Sequence, residues 1–130
     1  MRNRDKAGHE RGQAMVEFVI VLPILCMLLF GIVQFGITFN HYLTLTDSVR
    51  AGARRAAVSR EVSDPVGAAV SQVRSSASDL KQSDLAVTVT SSWSPGGDVT
   101  VTATYPYSIN IMGIVVDSGR LSSSTTERVE

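Results

Sequence analysis

The stretch RGQAMVEFVIVLPILCMLLFGIVQFG, Arg11–Gly36, decides how the rest of the chain is read. From Phe18 to Phe39 it continues for 22 residues without a formal charge, and Gln34 and Thr38 are the side chains in it that hydrogen-bond strongly. As a helix these residues measure about 33 Å, against a hydrocarbon core of about 30 Å. Fifteen of the 22 are Leu, Ile, Val or Phe. At the bilayer centre that set favours insertion by about 5 to 8 kcal/mol, which outweighs the two polar positions. Pro23 removes one backbone donor near the start of the run, so a mild bend is expected there rather than a break. The run predicts a transmembrane helix, and Glu17 places a carboxylate at its mouth.

Composition divides the chain into two regimes. Of 130 residues, 44% are hydrophobic, but they crowd between Met15 and Phe39, and the remainder is rich in Ser, Thr, Ala and Val. Twelve basic and twelve acidic side chains cancel, leaving no field to recruit nucleic acid. The lone cysteine, Cys26, lies inside the apolar run, so no internal disulfide forms and the thiol reads as unreactive. The run exceeds a secretory h-region of about 7 to 15 residues. The nearest small-x-small triplet, Ala51-Gly52-Ala53, follows it at a distance. Ile24 and Leu25 before Cys26 argue against lipidation. A retained anchor is the reading that follows. Charge counting leaves orientation near a tie, with Arg2, Arg4, Lys6 and Arg11 on one side and Arg50, Arg54, Arg55 and Arg60 on the other.

Glycine is a poor helix former, so Gly12 at the interface favours an unwound backbone that a protease can bind in extended form. Were the chain cut after Gly12, Gln13 would carry a new ammonium group, and Glu17, four residues on, would share its helical face. A carboxylate entering hydrocarbon is costly unless paired, and that ammonium, with the helix's orphan N–H groups, supplies the pairing. The bland alternative is that Glu17 marks the interface and snorkels to headgroups.

The segment Gly12-Gln13-Ala14-Met15-Val16-Glu17-Phe18 resembles the processing site of type IV pilin-like proteins, in the form used by tight-adherence (Tad, or Flp) pili. Arg50-Ala51-Gly52-Ala53-Arg54 is similar to a segment of TadE-like proteins, the minor pilin or pseudopilin branch of that system, with Val49 where the family often has alanine and Ala51 where it commonly has an acidic or polar residue. Tyr105-Pro106-Tyr107 and Glu127-Arg128-Val129-Glu130 resemble the tail of such domains. The resemblance implies cleavage by a prepilin peptidase at the cytoplasmic face, between Gly12 and Gln13, with Gln13, Glu17 and Phe18 completing the recognised site. It also implies that Glu17 pairs with the amino terminus, Gln13, of an adjacent subunit. The implied partners are the peptidase, other pilin or pseudopilin subunits, pilus assembly proteins of the inner membrane, and the lipid bilayer. The implied location is the cytoplasmic membrane in a single pass, N-terminus inside and head outside, with incorporation into an extracellular pilus.

Beyond the membrane, Tyr42, Leu45, Val49, Ala53 and Ala56 recur at spacings of three and four, which predicts that the helix continues with one apolar face. Its arginines read as a solvated face beside anionic headgroups. A short helix is expected from Pro65 to Ala77, capped by Asp64, with Val66, Ala69, Val70 and Val73 on one side. From Leu85 the period becomes two. Leu85, Val87 and Val89, then a turn at Ser94-Pro95-Gly96-Gly97-Asp98, then Val99, Val101, Ala103 and Tyr105 predict a β-hairpin. A third strand is expected near Leu121 to Val129, and Ile109 to Val116 is expected to form a loop with a helical turn over the sheet's open face.

The predicted class is α+β: a leader (1–12), a transmembrane helix (13–39), its continuation (40–62), and a small head (63–130) with the hairpin at 85–105. His9 and His41 are the two histidines, and with Cys26 they assemble no metal cluster or nucleophilic triad. No phosphate loop or dinucleotide fingerprint appears. Neither a cofactor nor catalysis is expected. Gly31 and Gly36, five residues apart, do not form the four-residue dimer motif, although either admits a close neighbour and Gln34 can bond across such a contact. The competing readings are an unprocessed single-pass membrane protein whose external head binds an envelope partner, and a secreted enzyme behind a cleaved signal.

Overall fold

The computed structural model describes residues 2–130, with side chains from Gly12 onward. The order of elements is α1 (Arg2–Ala57), α2 (Pro65–Ser76), β1 (Ala86–Ser91), β2 (Asp98–Ile111) and β3 (Ile114–Arg128). The fold is α+β, a long helix and a short one against a three-stranded antiparallel sheet of order β1-β2-β3.

Helix α1 passes through Pro23 without a break. Its last part carries the packing surface. Leu45, Val49, Ala53 and Ala56 are buried, as their three-and-four spacing predicts, and Ser48 and Gly52 join the same stripe. Tyr42, expected on this face, is exposed instead, because the core begins one turn later. The continuation stops at Ala57 rather than reaching residue 62. Ser59 bends the chain there, its N–H donating to Ala56 O at 3.0 Å and its hydroxyl to Arg55 O. The Glu130 N–H then reaches the orphan Ala57 carbonyl at 3.1 Å.

Helix α2 begins as its sequence dictates. Asp64 accepts from Gly67 N–H at 2.8 Å, and Pro65 occupies the first turn. Ala69 and Val73 are buried against α1, whereas Val66 is exposed. Gly52 is the point of closest approach: a Cβ built there meets the Val73 side chain, and Ala69 O at 3.3 Å. The guanidinium of Arg74 donates to Gln82 O at 3.0 Å and to Leu85 O at 3.4 Å, which ties α2 to the segment leading into β1.

In β2 the inward residues Val99, Val101 and Ala103 are buried, and with Val87 and Val89 of β1 they cover the helices. The outward face is a ladder of hydroxyls, Thr100 to Thr126 at 2.8 Å and Thr102 to Ser124 at 2.9 Å. Val129 and the β1–β2 turn are clipped together by Gly96 N–H to Val129 O at 2.9 Å and Val129 N–H to Gly97 O at 2.8 Å.

The segment Ile109 to Val116 is not the covering loop that its apolar run suggests. It is the far end of the β2–β3 hairpin, in which Ile111 pairs with Ile114 across a two-residue turn. Met112 and Gly113 both have positive φ, 52° and 89°, as a type I′ turn requires. Asn110 Oδ1 accepts from Gly113 N–H at 2.9 Å and closes it. A register shift after Ile109 marks a bulge just before the turn.

Two measurements check this packing. Gly52→Ala should destabilise the head by about 1 to 3 kcal/mol through overpacking against Val73, and Val73→Ala in the same chain should recover part of the loss. Denaturation followed by fluorescence of Trp93, which packs against the core, reads both. The Tyr107 hydroxyl donates to Asp117 Oδ2 at 3.0 Å. That hydrogen bond, with the carboxylate's charge, raises the Tyr107 pKa above the usual tyrosine value. A raised folded value means the contact is intact below the ordinary tyrosine pKa of about 10 and is lost as pH climbs through the higher one. Asp117→Asn should lower the Tyr107 titration, measured by phenolate absorbance.

Candidate processing and assembly site

Gly12, Gln13, Glu17 and Phe18 all lie on α1, and all four are exposed. The helical rise and the four-residue spacing bring Gln13 over Glu17, and the amide Nε2 of Gln13 donates to Glu17 Oε1 at 3.2 Å. This is Glu17's hydrogen-bond partner among the described residues. Phe18, next in sequence, is 59% exposed.

The unwound backbone expected at Gly12 is not observed. The helix runs through Gly12 unbroken, and nothing lies within 4 Å of where its Cβ would be. Glycine's propensity penalty, about 1 kcal/mol, is too small to open a helix flanked by good formers such as Gln13, Ala14 and Met15. What Gly12 contributes is a cheaper local opening and a bare surface. Met1 lies outside the described residues, as do the side chains of the remainder of the leader.

From Phe18 to Phe30 the helix is apolar and, apart from half-buried Cys26, exposed. Its most hydropathic window has none of its residues buried in the chain, and its length and composition suffice to cross a membrane. The half-buried positions on one side of this part of α1 are regularly spaced. Gly31, Gln34, Thr38 and His41 are half-buried and recur at spacings of three and four, on the side along which the β2–β3 hairpin lies. Gln34 and Thr38 therefore face protein, which accounts for two polar side chains within the apolar run. The His41 ring meets the Tyr105 ring edge-on at 5.5 Å and 78°.

Residues 12–54 match the family model described as TadE-like protein. That is the family the sequence resembles, and the match takes in Gly12, Gln13, Glu17, Phe18 and the arginine-bearing end of α1. The TadE-like segment thus coincides with the helix that carries both the candidate site and the apolar run, while the sheet lies outside it. No curated protein and no solved structure matches the chain. The TadE-like match points to a membrane protein associated with a tight-adherence pilus, and the apolar helix is consistent with membrane anchoring.

The head offers no comparable site. A groove of about 420 Å³ runs between the end of α1 and the end of β3, lined by Arg54, Ala57, Val58 and Glu127–Glu130. Among the described residues, no three of His, Cys, Asp or Glu converge as metal ligands do. Arg50 pairs with Asp47 at 3.6 Å on the helix surface, and Arg54 and Arg55 are exposed. Sequence reasoning missed the contact between the hairpin end and the apolar helix; the lack of charge from Tyr105 to Val116 was its signal.

Gly12→Ala should make local opening harder by about 0.5 to 1 kcal/mol. Amide exchange at Gln13 to Val16 should then slow by about two- to five-fold, as the same energy implies.

Proposed function

We propose that this chain is a minor pilin or pseudopilin of a tight-adherence pilus, matured by a prepilin peptidase that cuts between Gly12 and Gln13. The observation that carries the reading is the juxtaposition within the TadE-like segment: Gly12, Gln13 and Glu17 lie within two turns at the start of a bare apolar helix, with Gln13 over Glu17. Cleavage replaces the Gln13 peptide nitrogen by an ammonium group one turn from the carboxylate. It also exposes the helix's first N–H groups to the same charge.

In this reading Glu17 pairs with the Gln13 terminus of an adjacent subunit as the apolar helices bundle. An incoming subunit thereby lowers the cost of carrying its acid in hydrocarbon. The leader faces the cytoplasm and the head lies outside. The protein acts as a structural component rather than an enzyme, and its partners are the peptidase, fellow pilin-like subunits, the inner-membrane assembly proteins and the bilayer. No cofactor enters the mechanism.

Mass spectrometry of the native protein tests the proposal. A terminus at Gln13 is the expected result. Met1 would instead indicate an unprocessed membrane protein, and a terminus beyond Phe39 a secreted one. A bulky residue at Gly12 should block maturation. Glu17→Gln should leave cleavage intact yet reduce pilus assembly, and normal pili from that variant would refute the pairing role.

A further inference from the structure

The β2–β3 hairpin is longer than the head requires. Strand β1 pairs with β2 only as far as Thr104, opposite Ala86, whereas β2 and β3 stay paired out to Ile111 and Ile114. The extension follows α1 back toward its apolar half. Tyr105 meets His41, and Ile111 Cδ1 lies 3.8 Å from where a Gly31 Cβ would be. Gly31 stands eight residues before Phe39. Along a helix that is about 12 Å inside the end of the uncharged run. The hairpin end therefore lies level with residues suited to lipid.

Its composition matches that position. From Tyr105 through Val116 no side chain is charged; Asp117 and Arg120 come next. Met112, Ile114, Val115 and Val116 are 64%, 69%, 57% and 61% exposed. Hairpin turns in water favour Asn-Gly or Asp-Gly, and four adjacent exposed apolar side chains form a patch that calls for cover. Tyr105 and Tyr107 at the base of the extension are the amphipathic residues that gather at headgroup level.

We propose that the hairpin end, Ile109–Val116, is a second membrane-contacting element, dipping into the leaflet on the head's side of the same bilayer that α1 crosses. This rests on α1 being membrane-embedded. Backbone pairing limits the depth, because beyond Thr104 neither strand has an outer partner and unpaired N–H and C=O groups are costly in hydrocarbon. The end thus enters as interfacial elements do, about 5 to 10 Å. That depth leaves Phe39, stacked on Phe35 at 6.2 Å, among the headgroups, where aromatic rings concentrate. With two points of contact, the head cannot swivel or tilt freely about α1.

The test uses the full chain with Cys26→Ala, carrying in turn Val115→Cys, Phe30→Cys or Thr126→Cys, each labelled with an environment-sensitive fluorophore. The chain is reconstituted alone in vesicles of phosphatidylethanolamine and phosphatidylglycerol. The label at Val115 should be quenched by lipids spin-labelled on their acyl chains and should lose most of its quenching by an aqueous nickel chelate, as at Phe30 and opposite to Thr126. If Val115 behaves like Thr126, or is shielded from both quenchers by a second copy, while Phe30 remains lipid-quenched, the hairpin contact is overturned and the anchor stands. Aqueous quenching at Phe30 overturns both. Met112→Cys repeats the measurement should Val115→Cys fail to fold.

Discussion

The structure depends on one continuous helix with two different surfaces, an exposed apolar half and an end that packs the head. The end of α1 presents small and branched side chains, Leu45, Val49, Ala53 and Ala56, around Gly52, where α2 comes too close for any side chain. That contact brings Val73 and Ala69 onto the helix and leaves room for Val99, Val101 and Ala103 to close the core from the sheet side. A head of this size buries little apolar surface on its own. Sharing the rigid end of a much longer helix gives it a wall already ordered by backbone hydrogen bonds, so the entropy of forming that wall is not charged to the head alone.

The same rod transmits position. Because helix α1 runs unbroken, whatever fixes its apolar half in lipid or in a bundle also fixes the head. The stripe of half-buried residues from Gly31 to His41 extends this coupling past the core, since the hairpin lies along it. Polar side chains inside the apolar run are therefore divided by role. Gln34 and Thr38 are sheltered by protein, while Glu17, at the other end, is bare and held only by the Gln13 amide among the described residues. A carboxylate left so lightly partnered beside an apolar helix is suited to an interaction made between molecules, as the proposed assembly role requires.

Much of this was legible in the residues. The apolar run, the helix face from Leu45 to Ala56, the Asp64 cap and the alternation of β1 and β2 all follow from local periodicity, which depends on the backbone's own geometry. The likeness to TadE-like proteins was legible too, and that family's model matches residues 12–54. The inner face of β3 carries Ser123, Thr125 and Glu127, so its alternation was weak. The strand exists because β2 offers it a paired edge, not because its own side chains demand one. The Met112-Gly113 turn was hidden for a related reason: only Gly113 signals positive φ, and the Asn110 side chain that closes the turn acts from outside the two central positions.

By itself the sequence determined the long apolar helix, the capped short helix and the alternating stretches of β1 and the start of β2, and that an acid sits four residues after Gln13. These are properties of short stretches whose spacing sets the face each side chain occupies. Tertiary structure alone decided that Gln34 and Thr38 turn toward protein, and that the apolar residues near Met112 travel back alongside Gly31 instead of covering the sheet. Each of those outcomes depends on what a distant segment places next to the residue, and no local pattern encodes a neighbour some eighty positions away.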